Sequence, residues 1–118
     1  MDLSQIVDMQ TRLDEKNGFP VRFPERRQLY GQLTKDLVGL MGEIGEFSNI
    51  VKKINIKLDR PREYDLDFNS AEVSLREELV DSLIYLIRIG AMLEVDLEKE
   101  VLAKIRLNAA RYANLRQE

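Results

Sequence analysis

From Leu79 to Leu93 nearly every residue is apolar, including Leu83, Ile84, Leu86, Ile87 and Ile89, and Arg88 is the one charge between Ser82 and Leu93. A helix apolar on all sides is buried on all sides, so this stretch belongs at the centre of a fold or at a subunit interface. Upstream, Leu37, Leu40, Met41, Ile44, Phe47 and Val51 follow the 3.6-residue period and form the core face of a second long helix. Two such helices fix the class: all-α, with no convincing strand anywhere.

The remaining elements follow from punctuation. A first helix is expected over Leu3–Lys16, with Ile6, Met9 and Leu13 on one stripe and Asn17-Gly18 ending it. Pro20 and Pro24 make the next segment a loop, and the second helix runs from near Arg26 to about Ile54. The charged stretch from Asn55 to Ser70, with Pro61, reads as an exposed connection. Asn69 with Glu72 three residues on marks the start of the third helix, about Ala71 to Leu93. A fourth helix starts at the cap Asp96 and continues to about Leu115, with Leu97, Val101, Ile105 and Tyr112 inward. The expected architecture is a four-helix bundle with antiparallel neighbours, one domain spanning residues 1–118.

Composition narrows the chemistry. The chain has neither His nor Cys, which removes disulfides, zinc fingers, thiol catalysis and Ser–His triads together. A net charge of −3 argues against a polymeric nucleic acid as partner. No apolar run reaches the roughly 18 residues of a membrane span, and the acidic, amphipathic start lacks a signal-peptide pattern. A cytoplasmic setting is therefore expected.

Two acidic pairs with the same spacing sit inside the apolar stretches: Glu43 with Glu46, and Glu78 with Asp81. Residues three apart are side-by-side neighbours on a helix, so each pair presents two carboxylates in one direction. On a wheel of about 100° per residue, Glu43 falls between Ile50 and Ile54, and Glu78 falls close to Tyr85 and Ile89. Neither pair lies on an ordinary solvated face. Four like charges converging on one place cannot all ionise without cations, and oxygen-only ligation selects Mg²⁺, Mn²⁺ or Ca²⁺. Gly42 and Gly45, just before the first pair's two acids, are expected to admit a close helix or ligand. On the last helix Lys104, Asn108 and Arg111 share a stripe beside the apolar arc. Their donors suit a polyphosphate, although a solvated flank with stems lying over the core has the same pattern. Lys52 and Lys53 could join an anion site or simply complement a helix C-terminus. Arg88 fits a buried ion pair as well as a ligand contact.

In combination, Glu43-x-x-Glu46, Glu78-x-x-Asp81 and Lys104-x-x-x-Asn108-x-x-Arg111-Tyr112 resemble the MazG-like nucleotide pyrophosphohydrolases of the all-α NTP pyrophosphatase superfamily. The similarity runs from about Leu37 to Tyr112. It implies hydrolysis of a nucleoside triphosphate to the monophosphate and pyrophosphate, with Mg²⁺, or Mn²⁺ in its place, held by Glu43, Glu46, Glu78 and Asp81. It further implies substrate contacts from Lys53, Lys104, Asn108, Arg111 and Tyr112, and a homodimer or a dimer of dimers. The connection between the acidic motifs is longer than in compact members, and Gly42 stands where some relatives carry an acid, so the general base stays open between Glu43, Glu46 and the metal alone. Sibling dUTPase or phosphoribosyl-ATP pyrophosphatase activity shares the same platform. The competing class is a non-enzymatic helical interaction module whose acids pair with Arg88 or Lys104.

Overall fold

The computed structural model describes residues 1–115, as four α-helices with no strand among them. Helix α1 spans Leu3–Lys16, α2 Arg26–Asp59, α3 Phe68–Met92 and α4 Leu97–Arg111, followed by a 3-10 turn at Ala113–Leu115. The all-α class is as expected, and among the described residues no helix is long and apolar enough to cross a membrane.

Local chemistry sets the ends. Asp2 caps α1 by accepting from Gln5 N at 2.9 Å, and the Gln5 side chain accepts from Asp2 N at 2.8 Å, a reciprocal capping box. Gly18, at φ 82°, takes the left-handed conformation after that helix. Helix α2 outlasts its expected end at Ile54 by five residues, reaching Asp59. Asn55 does not break it. What does is Pro61, since the residue before a proline is pushed out of the helical region, and Lys57 Nζ ties the turn by donating to the carbonyls of Pro61 and Tyr64. Helix α3 starts earlier than expected, because the cap is Asp67 rather than Asn69. Its carboxylate accepts from Ser70 N at 3.1 Å and Ser70 Oγ at 2.6 Å, and those bonds hold its pKa below the usual carboxylate value. Asp96 caps α4 as expected, accepting from Lys99 N. The helix stops at Arg111, and the 3-10 turn takes the rest of the span assigned to it.

Helices α2 and α3 form an antiparallel hairpin, the main packing surface of the chain, and α1 lies across α3. The seam is tight at Gly39, where an added Cβ would lie 2.5 Å from the Tyr85 ring. The close approach expected at Gly42 and Gly45 is therefore found one turn earlier; both of those face open space. The buried apolar residues are Val21, Leu40, Ala71, Ile87 and Met92. Much of the expected core face is uncovered within one chain: Leu37, Met41 and Ile44 of α2 are exposed, as are Leu79, Leu83 and Leu86 of α3. Helix α4 packs chiefly against α1, where Glu98 accepts from Leu3 N and Ser4 Oγ, each at 3.1 Å. None of its residues is buried, so Val101, Ile105 and Tyr112 do not point inward here as the periodicity predicts. Among the described residues no helix covers their apolar arc.

Candidate metal centre and cleft

The antiparallel register of α2 and α3 brings the first acidic pair level with the second. One carboxylate oxygen each from Glu43, Glu46 and Glu78 lies within 4.8 Å of the others. Glu46 is exposed, whereas Glu43 and Glu78 are half-buried, and Oε2 of each is inaccessible and without a hydrogen-bond partner. Asp81 is exposed and stands outside this three-way cluster, although it lines the same cleft as Glu43.

Packing like charges this closely raises the cost of ionising all of them. Glu78 registers it: the carboxyl of Glu43, near enough to share a proton, pushes its pKa up to about 8, with burial and Glu46 adding to the effect. Orphaned buried carboxylate oxygens are costly unless a counter-charge meets them. A hard divalent cation answers that need, since it binds carboxylate oxygens and no nitrogen or sulfur ligand is at hand. The residues present fit such an ion.

The cleft has a volume of about 570 Å³ and runs from Glu43 and Asp81 to a second group of polar residues, Asp14, Gln32, Lys35, Asp36 and Arg88, with Phe19, Ile84 and Tyr85 as its apolar lining. Arg88 Nε donates to Asp36 Oδ2 at 2.7 Å, and Nη1 lies 3.0 Å from Asp14 Oδ2. Burial works against charge on this guanidinium, and pairing with Asp36 and Asp14 outweighs it, so the pKa is held above the ordinary value. The ion-pair option for Arg88 is the one realised, and its partners are neither of the acidic pairs. Asp14 and Asp36 were not legible as its partners, although Asp36 precedes Glu43 by seven residues and Arg88 follows Asp81 by seven, a spacing that returns to the same helical face.

The basic candidates lie elsewhere. Lys53 borders a separate groove with Ile50, Leu66, Asp67, Ser70, Ala71 and Ser74. Lys104, Asn108, Arg111 and Tyr112 are exposed on and just after α4, and none lines the cleft of its own chain. The Arg111 guanidinium lies 5.3 Å from the centroid of the Tyr112 ring, a cation–π distance.

No family model matches the sequence, and no solved structure matches it. Curated proteins do. The chain is 34% identical over 76 residues to dCTP pyrophosphatase 1 of Rattus norvegicus, and 36% identical over 76 residues to the proteins of that name from Bos taurus and Homo sapiens. In each case the match covers 64% of this chain and 43% of the relative, so the chain spans less than half the length of the curated relatives it matches. These matches, over 64% of the chain, support the resemblance to the MazG-like nucleotide pyrophosphohydrolases.

Proposed function

We propose that the chain hydrolyses nucleoside triphosphates to the monophosphate and pyrophosphate, in the manner the relatives' name describes, with dCTP as the first substrate to try. One observation carries this reading: the carboxylates of Glu43 and Glu78, each with a buried, unpartnered Oε2, converge with Glu46 across the α2–α3 seam, beside a cleft large enough for a nucleotide. Glu43, Glu46 and Glu78 would hold the cation, Mg²⁺ or Mn²⁺, with Asp81 completing the site from the rim. Bound there, such a cation would offset the charge of the triphosphate and acidify a water near the scissile phosphorus. Glu46, the exposed member of the cluster, and Glu43 on the same turn are the two acids that could take a proton from that water.

The basic stripe enters through assembly. Lys104, Asn108, Arg111 and Tyr112, with Lys53, are assigned to the triphosphate in a homodimer or homotetramer where one copy's α4 reaches another copy's cleft. The uncovered apolar arcs of α2, α3 and α4 support such an arrangement, and a cytoplasmic setting goes with it. The interaction-module reading needs the acidic pairs to be neutralised by Arg88 or Lys104. Arg88 is instead engaged with Asp14 and Asp36, and no ion pair reaches Glu43, Glu46 or Glu78 among the described residues.

Pyrophosphate release from a panel of ordinary and deoxy triphosphates, with MgCl₂ and with EDTA, tests the proposal. Turnover is expected only with the cation, and Glu43→Gln or Asp81→Asn should lower it by about a hundredfold or more, in the range for removing a charge-stabilising group. Undiminished turnover in both variants would refute it.

A further inference from the structure

The cleft has two tiers. Seven residues are two helical turns, about 10 Å along the axis, so Asp36 and Arg88 occupy the cleft face at the end remote from Glu43 and Asp81. That is on the order of a nucleoside's reach from its 5′ oxygen to the far edge of its base. A triphosphate lying at the acidic tier would lay its base at the other.

The second tier is a built polar site. Arg88 Nη1 donates to the Phe19 carbonyl at 3.1 Å, anchoring the loop after α1 to α3. Gln32 Nε2 donates to Asp36 Oδ1 and Gln10 Nε2 to Asp14 Oδ1, both at 2.8 Å. With Arg88 Nε on Oδ2, Asp36 is satisfied at both oxygens. Asp14 is not. Its side chain is only 10% exposed, and Oδ2 is charge-paired with Arg88 yet accepts no hydrogen bond. An acceptor oxygen left without a hydrogen bond favours a ligand that arrives with N–H donors. Phe19, Tyr85 and Ile84 line the same cleft and offer the apolar walls that a flat ring requires.

Resting on the functional reading above, we propose that Asp14 and Arg88 are the specificity-determining pair. Asp14 Oδ2 accepts from an exocyclic amine of the base, and the Arg88 guanidinium donates to the ring nitrogen or carbonyl beside it. The substrate class is then a triphosphate whose base carries an amino group, cytosine rather than uracil among the pyrimidines. Asp36 and Gln32 act one step removed, by fixing the guanidinium.

The test measures kcat/KM for pyrophosphate release from dCTP, from dUTP and from a dCTP analogue with both amine hydrogens replaced by methyl groups. The wild-type protein should favour dCTP over the other two by about ten- to a hundredfold, the range of a hydrogen bond to a charged group. Asp14→Asn should collapse the dCTP:dUTP ratio toward one, mainly through KM for dCTP. Both substrates are read on the same preparation, so a reduced folded fraction cannot move that ratio. An unchanged ratio in Asp14→Asn, or no discrimination by the wild type, overturns the assignment while leaving the hydrolase reading in place. Should Asp14→Asn not fold, the methylated analogue decides on the unmodified protein: equal turnover with dCTP refutes the pair. Absence of hydrolysis with every triphosphate refutes the hydrolase reading itself, and the pair with it.

Discussion

Glu78 meets Glu43 and Glu46 where α3 crosses α2, and its raised pKa has a consequence for stability. The carboxyl is held at about 8 in the folded chain against an ordinary value of 4.5. Between those limits the folded protein keeps a proton that the unfolded chain has released, so this group's contribution is complete below pH 4.5 and is lost as pH rises through 8. In EDTA the melting temperature should therefore fall between pH 5.5 and 8.5. A divalent cation removes the cause by supplying positive charge to the ionised cluster, so with MgCl₂ the decline should flatten. Thermal melts across that range check both statements, and identical slopes with and without the cation would contradict them. The acids themselves were legible in the sequence because a spacing of three inside apolar runs is a local signal. The Asp14–Arg88–Asp36 network was not, since its members come from three helices and only packing decides which acid a lone buried arginine selects. The separation of Asp81 from the three-way cluster was equally hidden: one wheel does not show how two helices are rotated against each other.

At the scale of the elements, the sequence read well wherever punctuation is strong and poorly where two signals compete. Helix α1 and the cap of α4 match their expected limits because Asp2, Gly18 and Asp96 are unopposed. The α2–α3 connection is shorter than expected because a charge-rich stretch has the composition of a loop, whereas Lys57 and Asp67 use their charge to secure helix ends. Asp67→Ala should lower stability by about 1 kcal/mol, as for other lost N-caps. The glycines separate in the same way. At Gly39 a methyl would collide with the Tyr85 ring, and overpacking costs about 1–3 kcal/mol, more than the roughly 1 kcal/mol of helix propensity that Ala restores. Gly42→Ala meets nothing within 4 Å in the single chain, so there the propensity gain stands alone. Denaturant unfolding should rank Gly42→Ala above the wild type and Gly39→Ala below it; the reverse order would contradict close packing of Gly39 against Tyr85.

The whole molecule is more open than its length warrants. Its radius of gyration is 18.7 Å and its extents are 56 × 46 × 29 Å, whereas a compact chain of this size has a radius of about 13–14 Å. Leu79 is 60% exposed and Ile105 58% exposed, on helices whose periodicity marks them for burial. The sequence carried this information without saying where the cover comes from, because an apolar arc reads alike whether a neighbour in the same chain or another copy meets it. Sedimentation equilibrium should find a dimer or tetramer, and Leu79→Glu should shift it toward monomer; a monomeric wild type would contradict the assembly proposed. Everything at the larger scales depends on the acidic cluster being a cation site, and the direct measurement is Mn²⁺ binding to metal-stripped protein, followed by the loss of the free-ion electron paramagnetic resonance signal. Saturable binding by the wild type, weakened at least tenfold in Glu43→Gln and in Glu78→Gln as expected when one ligand charge is removed, is the predicted result. Binding that is absent, or equal in all three proteins, would contradict it.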